Sequence, residues 1–212
     1  MSFEFPRAIH WPELPGEYEY ASHIEFINWS RIKDKFGGQS YSMWGKNTVQ
    51  PEDAIQGDIG NCWLISAAMS LAESEKRLTD LFVIDEINSA SIYGATLYLL
   101  GVPITVAVDD FVPLRSNSVR STIYAKVGED GAIWGLIFEK LYSKYFGNYE
   151  TIDAGHAAAG IEIASGSPFT NFMHAKLNEE TKEMLWDLML NKNYSKTMVT
   201  CGSHTGTGND QD

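Results

Sequence analysis

A thiol becomes a useful nucleophile when its anion is stabilised. The first turn of a helix does this with unpaired N–H groups and the positive end of the dipole. Gly60-Asn61-Cys62-Trp63 has that form: Gly60 lets the chain turn, Asn61 is placed to cap, and Cys62 opens an apolar helical run. Gln56 lies in the loop leading into the same helix. Its side-chain amide and the Cys62 backbone N–H would together make an oxyanion hole. The chemistry such a set performs is acyl transfer through a thiolate. The residues alone leave a second reading open, an inert structural thiol, because cysteine is among the most often buried residue types.

The wider string decides between them. Gln56-Gly57-Asp58-Ile59-Gly60-Asn61-Cys62-Trp63-Leu64 resembles the active-site signature of the calpain family, Gln-Gly-x-x-Gly-Asp-Cys-Trp-Leu, with Asn61 where the family has Asp. Further blocks follow in the family's order. Val106-Ala107-Val108-Asp109-Asp110-Phe111-Val112-Pro113 resembles its Val-x-Val-Asp-Asp-x-x-Pro strand, and Trp134 to Lys144 its Trp-x-x-x-x-Glu-Lys-Ala-Tyr-Ala-Lys helix. Gly147-Asn148-Tyr149-Glu150 with Ala154-Gly155 resembles its Gly-x-Tyr-Glu stretch and paired glycines, the first glycine being Ala154 here. The likeness is close over residues 44–166, weak over 167–201, and not apparent before about residue 40.

The resemblance implies a calcium-dependent cysteine endopeptidase, a thiol hydrolase acting on protein or peptide substrates. It assigns Cys62 as nucleophile and Gln56 as oxyanion amide. Trp63 would pack the helix start against the cleft, and Gly155 would line the substrate channel. It also implies an α+β, papain-like core. A complete, mostly helical first subdomain would span residues 44–166, after an irregular arm over 1–43 and before the start of a β-rich second subdomain over 167–212.

Cysteine proteases of this kind need a histidine base oriented by an asparagine, both from the second subdomain. In papain-like enzymes these lie roughly 130–150 residues after the cysteine. His204 falls in that window, but Ser203-His204-Thr205 lacks the small residue and aromatic that follow the calpain histidine. Asn209 lacks the Pro-Trp-Gly that follows the family's asparagine. His10, His23, His156 and His174 are read as surface or locally bonded side chains. The expectation is a chain that stops before its catalytic His and Asn: an incomplete form or an inactive, protein-binding one. For calcium, Asp53 matches a first-subdomain ligand by resemblance. The partnering carboxylate position is Ala132, with Glu129 and Asp130 as nearby substitutes, so calcium dependence stays open.

The elements that must position these residues are legible from periodicity. Residues 1–45 are rich in Pro, Gly and aromatics, with a short helix expected around Glu25–Phe36. After the loop 44–61 come the Cys62 helix and a shorter one around Lys76–Val83. Strands are expected over Ala95–Leu100 and Pro103–Asp109, the latter closing in an Asp109-Asp110 turn. A polar loop over 115–131 leads to a helix over Ala132–Phe146. Small residues from Gly155 to Gly166 suggest a boundary, then a helix over Glu179–Leu190 and a β-leaning segment over Thr197–Cys201.

The chain has 212 residues and a formal net charge of −12, which disfavours nucleic acid or an anionic membrane as partner. The sequence shows no signal-peptide pattern and no apolar run long enough to span a bilayer. With only two cysteines, Cys62 and Cys201, a cytoplasmic setting with free thiols is expected.

Overall fold

A computed structural model of the chain describes residues 28–35, 40–46, 48–114, 122–191 and 197–202. His10, His23, His204 and Asn209 lie outside the described residues, as do residues 25–27 and 36 of the expected N-terminal helix. The described part of that stretch is a strand, β1 (Asn28–Arg31), followed by a single helical turn, α1 (Ile32–Lys35). The strand wins because it has a partner: β1 pairs antiparallel with β5 (Phe111–Leu114), setting Trp29 opposite Pro113.

The helix opened by the cysteine, α2, runs Cys62–Ala72 and is buried over most of its surface. The short helix that follows, α3 (Glu75–Thr79), ends sooner than its periodicity suggests. The chain turns into β2 (Phe82–Ile84), which joins β3 (Ile92–Leu99) and β4 (Val102–Asp109) in an antiparallel sheet of order β2-β3-β4. Both long strands begin earlier than the sequence pattern indicates, since the register pairs Ile92 with Asp109 through Leu99 with Val102.

Helix α4 (Trp134–Phe146) is the central element. Every residue from Trp134 to Ser143 is buried, including Glu139 and Lys140. Lys140 keeps its place by an ion pair with Asp109 and by donating to the Phe111 carbonyl oxygen. Asp110 accepts from Arg31 at 2.6 Å. The two adjacent aspartates therefore fasten the sheet to α4 and to β1, a structural duty consistent with their place at a strand end.

The small-residue stretch after Gly155 is helical over most of its length. It forms α5 (Ala157–Ser165), closed by Gly166 in the left-handed conformation (φ 68°). Small residues are needed because α5 lies directly against α2. A Cβ on Gly160 would stand 2.8 Å from the Ala67 Cβ and 3.3 Å from the Trp63 ring. Tyr142 reinforces the contact by donating its hydroxyl to the Gly160 carbonyl at 2.6 Å. Beyond α5, α6 spans Glu179–Asn191, with Met184, Trp186, Leu188 and Leu190 exposed. The expected β segment at Thr197–Cys201 has no strand partner among the described residues. No described helix is long and apolar enough to cross a membrane.

Because helix backbones on both sides hold Gly160 and Ala67 in place, overpacking there has little room to relax. Gly160→Val is expected to lower unfolding free energy by about 2 kcal/mol. A denaturation midpoint equal to that of the parent protein would show the α2–α5 contact to be loose.

Candidate active site

Cys62 stands at the first residue of α2 and is exposed, while its neighbours Trp63, Leu64 and Ile65 are buried. The helix opens as the sequence suggests, but Asn61 does not cap it with its side chain. Its carbonyl oxygen accepts from the Leu64 and Ile65 N–H groups, which starts the helix. The side chain points into the core instead and donates through Nδ2 to Glu139 Oε1 at 2.5 Å. Gly60 likewise serves space rather than a special φ: a Cβ there would stand 2.5 Å from Asp153 Oδ1.

Gln56 Nε2 donates to the Ile59 carbonyl oxygen at 2.8 Å, within the turn before the helix. An amide NH2 carries two hydrogens, so this bond engages one and fixes the plane of the other. The loop holding Gln56 is backed by residues 122–126. Lys126 N–H donates to Ile55 O at 2.9 Å and Asp58 N–H to Ile123 O at 2.8 Å, and the absent side chain of Gly57 leaves room for the Tyr124 carbonyl.

Trp63 and Gly155 come together. The indole Nε1 donates to the Ile152 carbonyl at 2.9 Å, and its ring meets Phe146 edge-on. A Cβ at Gly155 would lie 2.5 Å from Trp63 Cε2, so on that side the indole fills the space the glycine leaves. Ala154, where the family has glycine, holds φ 59° and donates its N–H to the Gly60 carbonyl at 2.9 Å. That left-handed backbone costs a side-chain-bearing residue about 1 kcal/mol, which is the physical reason glycine suits the position. His156 follows, exposed, at the position before α5. His174 lies in the short 3-10 turn His174–Lys176.

Asp53 ends the 3-10 turn Pro51–Asp53 packed on α2 and is 7% exposed. Its Oδ2 is buried without a hydrogen-bond partner among the described residues. Burial first, and then the charge of Asp130, push its carboxyl up to about 6. Ala132, buried, stands beside this group, and the missing side chains of Gly128 and Gly45 make room for the Asp53 and Asp130 carboxylates respectively. Of the two nearby acids, Asp130 is the one whose charge acts on Asp53, whereas Glu129 is exposed. Among the described residues no three His, Cys, Asp or Glu side chains converge, so a cation here would need backbone carbonyls and water besides these two acids.

The residue that sequence reasoning passed over is Glu139, noticed only as part of a matching block. It accepts from Asn61 Nδ2 and, through Oε2, from the Ala125 N–H at 2.7 Å. Burial raises its carboxyl to about 7, against the lowering effect of those two bonds. Its place inside an otherwise apolar helical stretch was the available signal.

The calpain family cysteine protease description matches residues 13–212 of this chain, reaching well into the N-terminal arm. Human calpain-14 (Homo sapiens) is 26% identical over 159 residues, covering 73% of this chain and 22% of the relative. The maize (Zea mays) calpain-type cysteine protease DEK1 is 28% identical over 169 residues, 76% of this chain and 7% of that protein. The rat (Rattus norvegicus) calpain-2 catalytic subunit is 27% identical over 150 residues, 69% of this chain and 21% of that one. The chain therefore spans about a fifth or less of the length of these relatives.

The raised Glu139 carboxyl has a consequence for stability. Between pH 4.5 and about 7 the folded chain keeps a proton that the unfolded chain releases, so stability falls as pH rises through that window. The penalty is absent below 4.5, complete above about 7, and on the order of 3 kcal/mol. Urea titrations of parent and Glu139→Gln at pH 5 and pH 8 check this. The parent should lose ground to the variant at the higher pH, and a difference that stays flat contradicts the shift.

Proposed function

This chain belongs to the calpain family of cysteine proteases, and on that premise we propose that it carries the nucleophile side of a protein-hydrolysing site with Cys62 as attacking residue. The observation that supports this most is the exposure of Cys62 at the N-terminus of a helix whose next three residues are buried. A thiol kept only for packing would turn inward on such an apolar helix.

The Cys62 thiol gives its proton to a base, a histidine in the family's chemistry, and the sulfur bonds to the carbonyl carbon of a peptide. The developing oxyanion would lie against the Cys62 N–H and the Gln56 amide, whose orientation the Ile59 carbonyl holds. The C–N bond then breaks and the amine leaves with the proton. Water cleaves the resulting thioester, releasing a carboxylic acid and restoring the thiol. Trp63 and Gly155 form the wall beside the nucleophile, with Gly155 exposed on the face the indole leaves open. An intracellular setting goes with two free thiols.

A second reading, a protein-binding module without hydrolysis, draws support from the apolar side chains exposed on α6. Labelling with a peptidyl chloromethyl ketone separates the two. The protease reading expects Cys62 to be alkylated at least tenfold faster than Cys201, the exposed thiol that serves as an internal reference. Equal rates at the two cysteines would leave only the binding module.

For calcium, Asp53 and Asp130 are the carboxylates we assign. An ion bound there would supply the positive charge that two close, partly buried acids lack. The expected result is a rise in melting temperature of several degrees in millimolar calcium, as binding at concentrations well above Kd gives. Asp130→Asn should lose that rise. An unchanged melting temperature in the parent protein would remove calcium from this site.

A further inference from the structure

Residues 122–126 form the floor under the loop that carries Gln56, yet they belong to no regular element. Isolated bridges tie them down at each end, Thr122 to Leu114 and Lys126 to Ile55. Asp58 N–H donates to Ile123 O at 2.8 Å, and a Cβ on Gly57 would collide with the Tyr124 carbonyl. Contacts to this strip therefore flank Gln56 on both sides. Ile123 and Ala125 are buried and keep the strip on the body. Tyr124, between them, is half-buried, and its ring lies flat on that of Tyr149, with centroids 3.9 Å apart and planes 9° from parallel.

Tyr149 is buried and meets a second ring on another side. Trp29 of β1 stands 6.5 Å away, centroid to centroid, tilted by 45°. The Trp29 Nε1 is buried without a hydrogen-bond partner among the described residues, so ring packing and not a polar bond makes this contact. Trp29 is itself held by the β1–β5 ladder, by the Arg31–Asp110 ion pair and by the Arg31 guanidinium 4.4 Å over the Phe111 ring. Along the chain, Tyr149 opens the 3-10 turn Glu150–Ile152. The Ile152 carbonyl takes the Trp63 Nε1–H at 2.9 Å, and the Ala154 N–H reaches Gly60 O at 2.9 Å. One ring thus joins the floor beneath Gln56 to the segment that grips Gly60 and Trp63, on either side of Cys62.

We propose that Trp29, Tyr149 and Tyr124 are a positioning brace that keeps the Gln56 amide in register with Cys62, an inference that rests on Cys62 being the nucleophile and Gln56 its oxyanion donor. The three act through the backbone around Gln56 and Cys62, and through Trp29 the N-terminal arm takes part in the site. Rings suit this duty. Aliphatic burial is non-directional and would stabilise the strip without orienting it, whereas aromatic pairs have preferred geometries. Losing a ring should therefore displace the floor more than it unfolds the chain, since Ile123 and Ala125 keep their burial.

Amide exchange followed by NMR in the 212-residue chain reads the floor directly. The probes are the Asp58 and Lys126 N–H groups; the reference is the Thr96 N–H, which donates to Leu81 O in the sheet. In Tyr124→Leu both probes are expected to exchange about tenfold faster, the size of one aromatic pair, with Thr96 changed less than about twofold. The site is read with two reagents. A peptidyl aldehyde forms a hemithioacetal at Cys62 whose oxyanion needs the Gln56 amide in register. Iodoacetamide loses iodide at a saturated carbon and needs no oxyanion donor. Aldehyde affinity is measured by protection of Cys62 against iodoacetamide, with the exposed Cys201 as internal reference.

Tyr124→Leu should weaken aldehyde binding about tenfold while the iodoacetamide rate at Cys62 changes less than about twofold, a split that a role in stability alone would not produce. Tyr124→Phe, which keeps the ring, should stay within about twofold of the parent in every reading. Trp29→Leu should move the same readings in the same direction by about fivefold, and it decides the matter if Tyr124→Leu fails to fold. Parent-like exchange at Asp58 and Lys126 in the folded leucine variants, or aldehyde and iodoacetamide reactivity falling together, overturns the brace and leaves Cys62 as nucleophile. A parent protein in which the aldehyde never protects Cys62 removes the nucleophile reading, and the brace as a determinant of the site falls with it.

Discussion

A carboxylate closed off from water must be met by donors, and in this chain that requirement falls on Glu139, in the middle of a helix buried on all sides. Its two acceptor oxygens take donors from two places far apart in sequence, Asn61 and Ala125. Satisfying them draws the loop before α2 and the strip 122–126 onto the same face of α4. The backbone bonds Ile55–Lys126 and Asp58–Ile123 join the same two segments and give the loop that carries Gln56 its floor. The apolar packing of α4 supplies most of the stabilisation, whereas this polar contact sets which segments meet and in what register.

The other charged groups do related work at the edges. Lys140, adjacent to Glu139 in sequence, turns toward Asp109 and the Phe111 carbonyl, fastening the end of the β2-β3-β4 sheet. Burial pushes the Lys140 ammonium pKa down, and the Asp109 carboxylate opposes that shift. Asp110 faces the other way and holds Arg31, so β1 is joined to the body by an ion pair as well as by its ladder with β5. Close approach handles what charge does not. Gly57, Gly155 and Gly160 each stand where a Cβ would meet a carbonyl, an indole or a facing helix. The Cys62 helix is thereby gripped by α5 from one side and by the Gln56 loop at its start.

Much of this was visible in the residues. The Cys62 helix, the α4 helix and the helix over Glu179–Asn191 follow from hydrophobic periodicity. The two long strands were placed correctly in kind and begin a few residues early, because pairing partners, not composition, decide where a ladder ends. The misses share that cause. Residues 28–31 read as part of a helix until β5 offers them a ladder. The helix within the run from Gly155 to Gly166 is not legible in the sequence because its small side chains carry little periodic signal, and only the proximity of α2 explains why they are small.

For the candidate site, what the sequence by itself determined is which groups stand together locally: a cysteine at a helix start, an amide before it, and the ordered blocks of the calpain family. These are local in the chain, so spacing and residue type suffice to read them. What only the tertiary structure decided is direction and company. Asn61 looks like a cap and is instead a core donor; Asp53 finds Asp130 rather than a carboxylate at position 132; Ala154 is held in a conformation suited to glycine. The partners of Asn61, Asp53 and Ala154 lie far away in sequence, and a side chain's company across such a gap is set by packing, which no local pattern encodes.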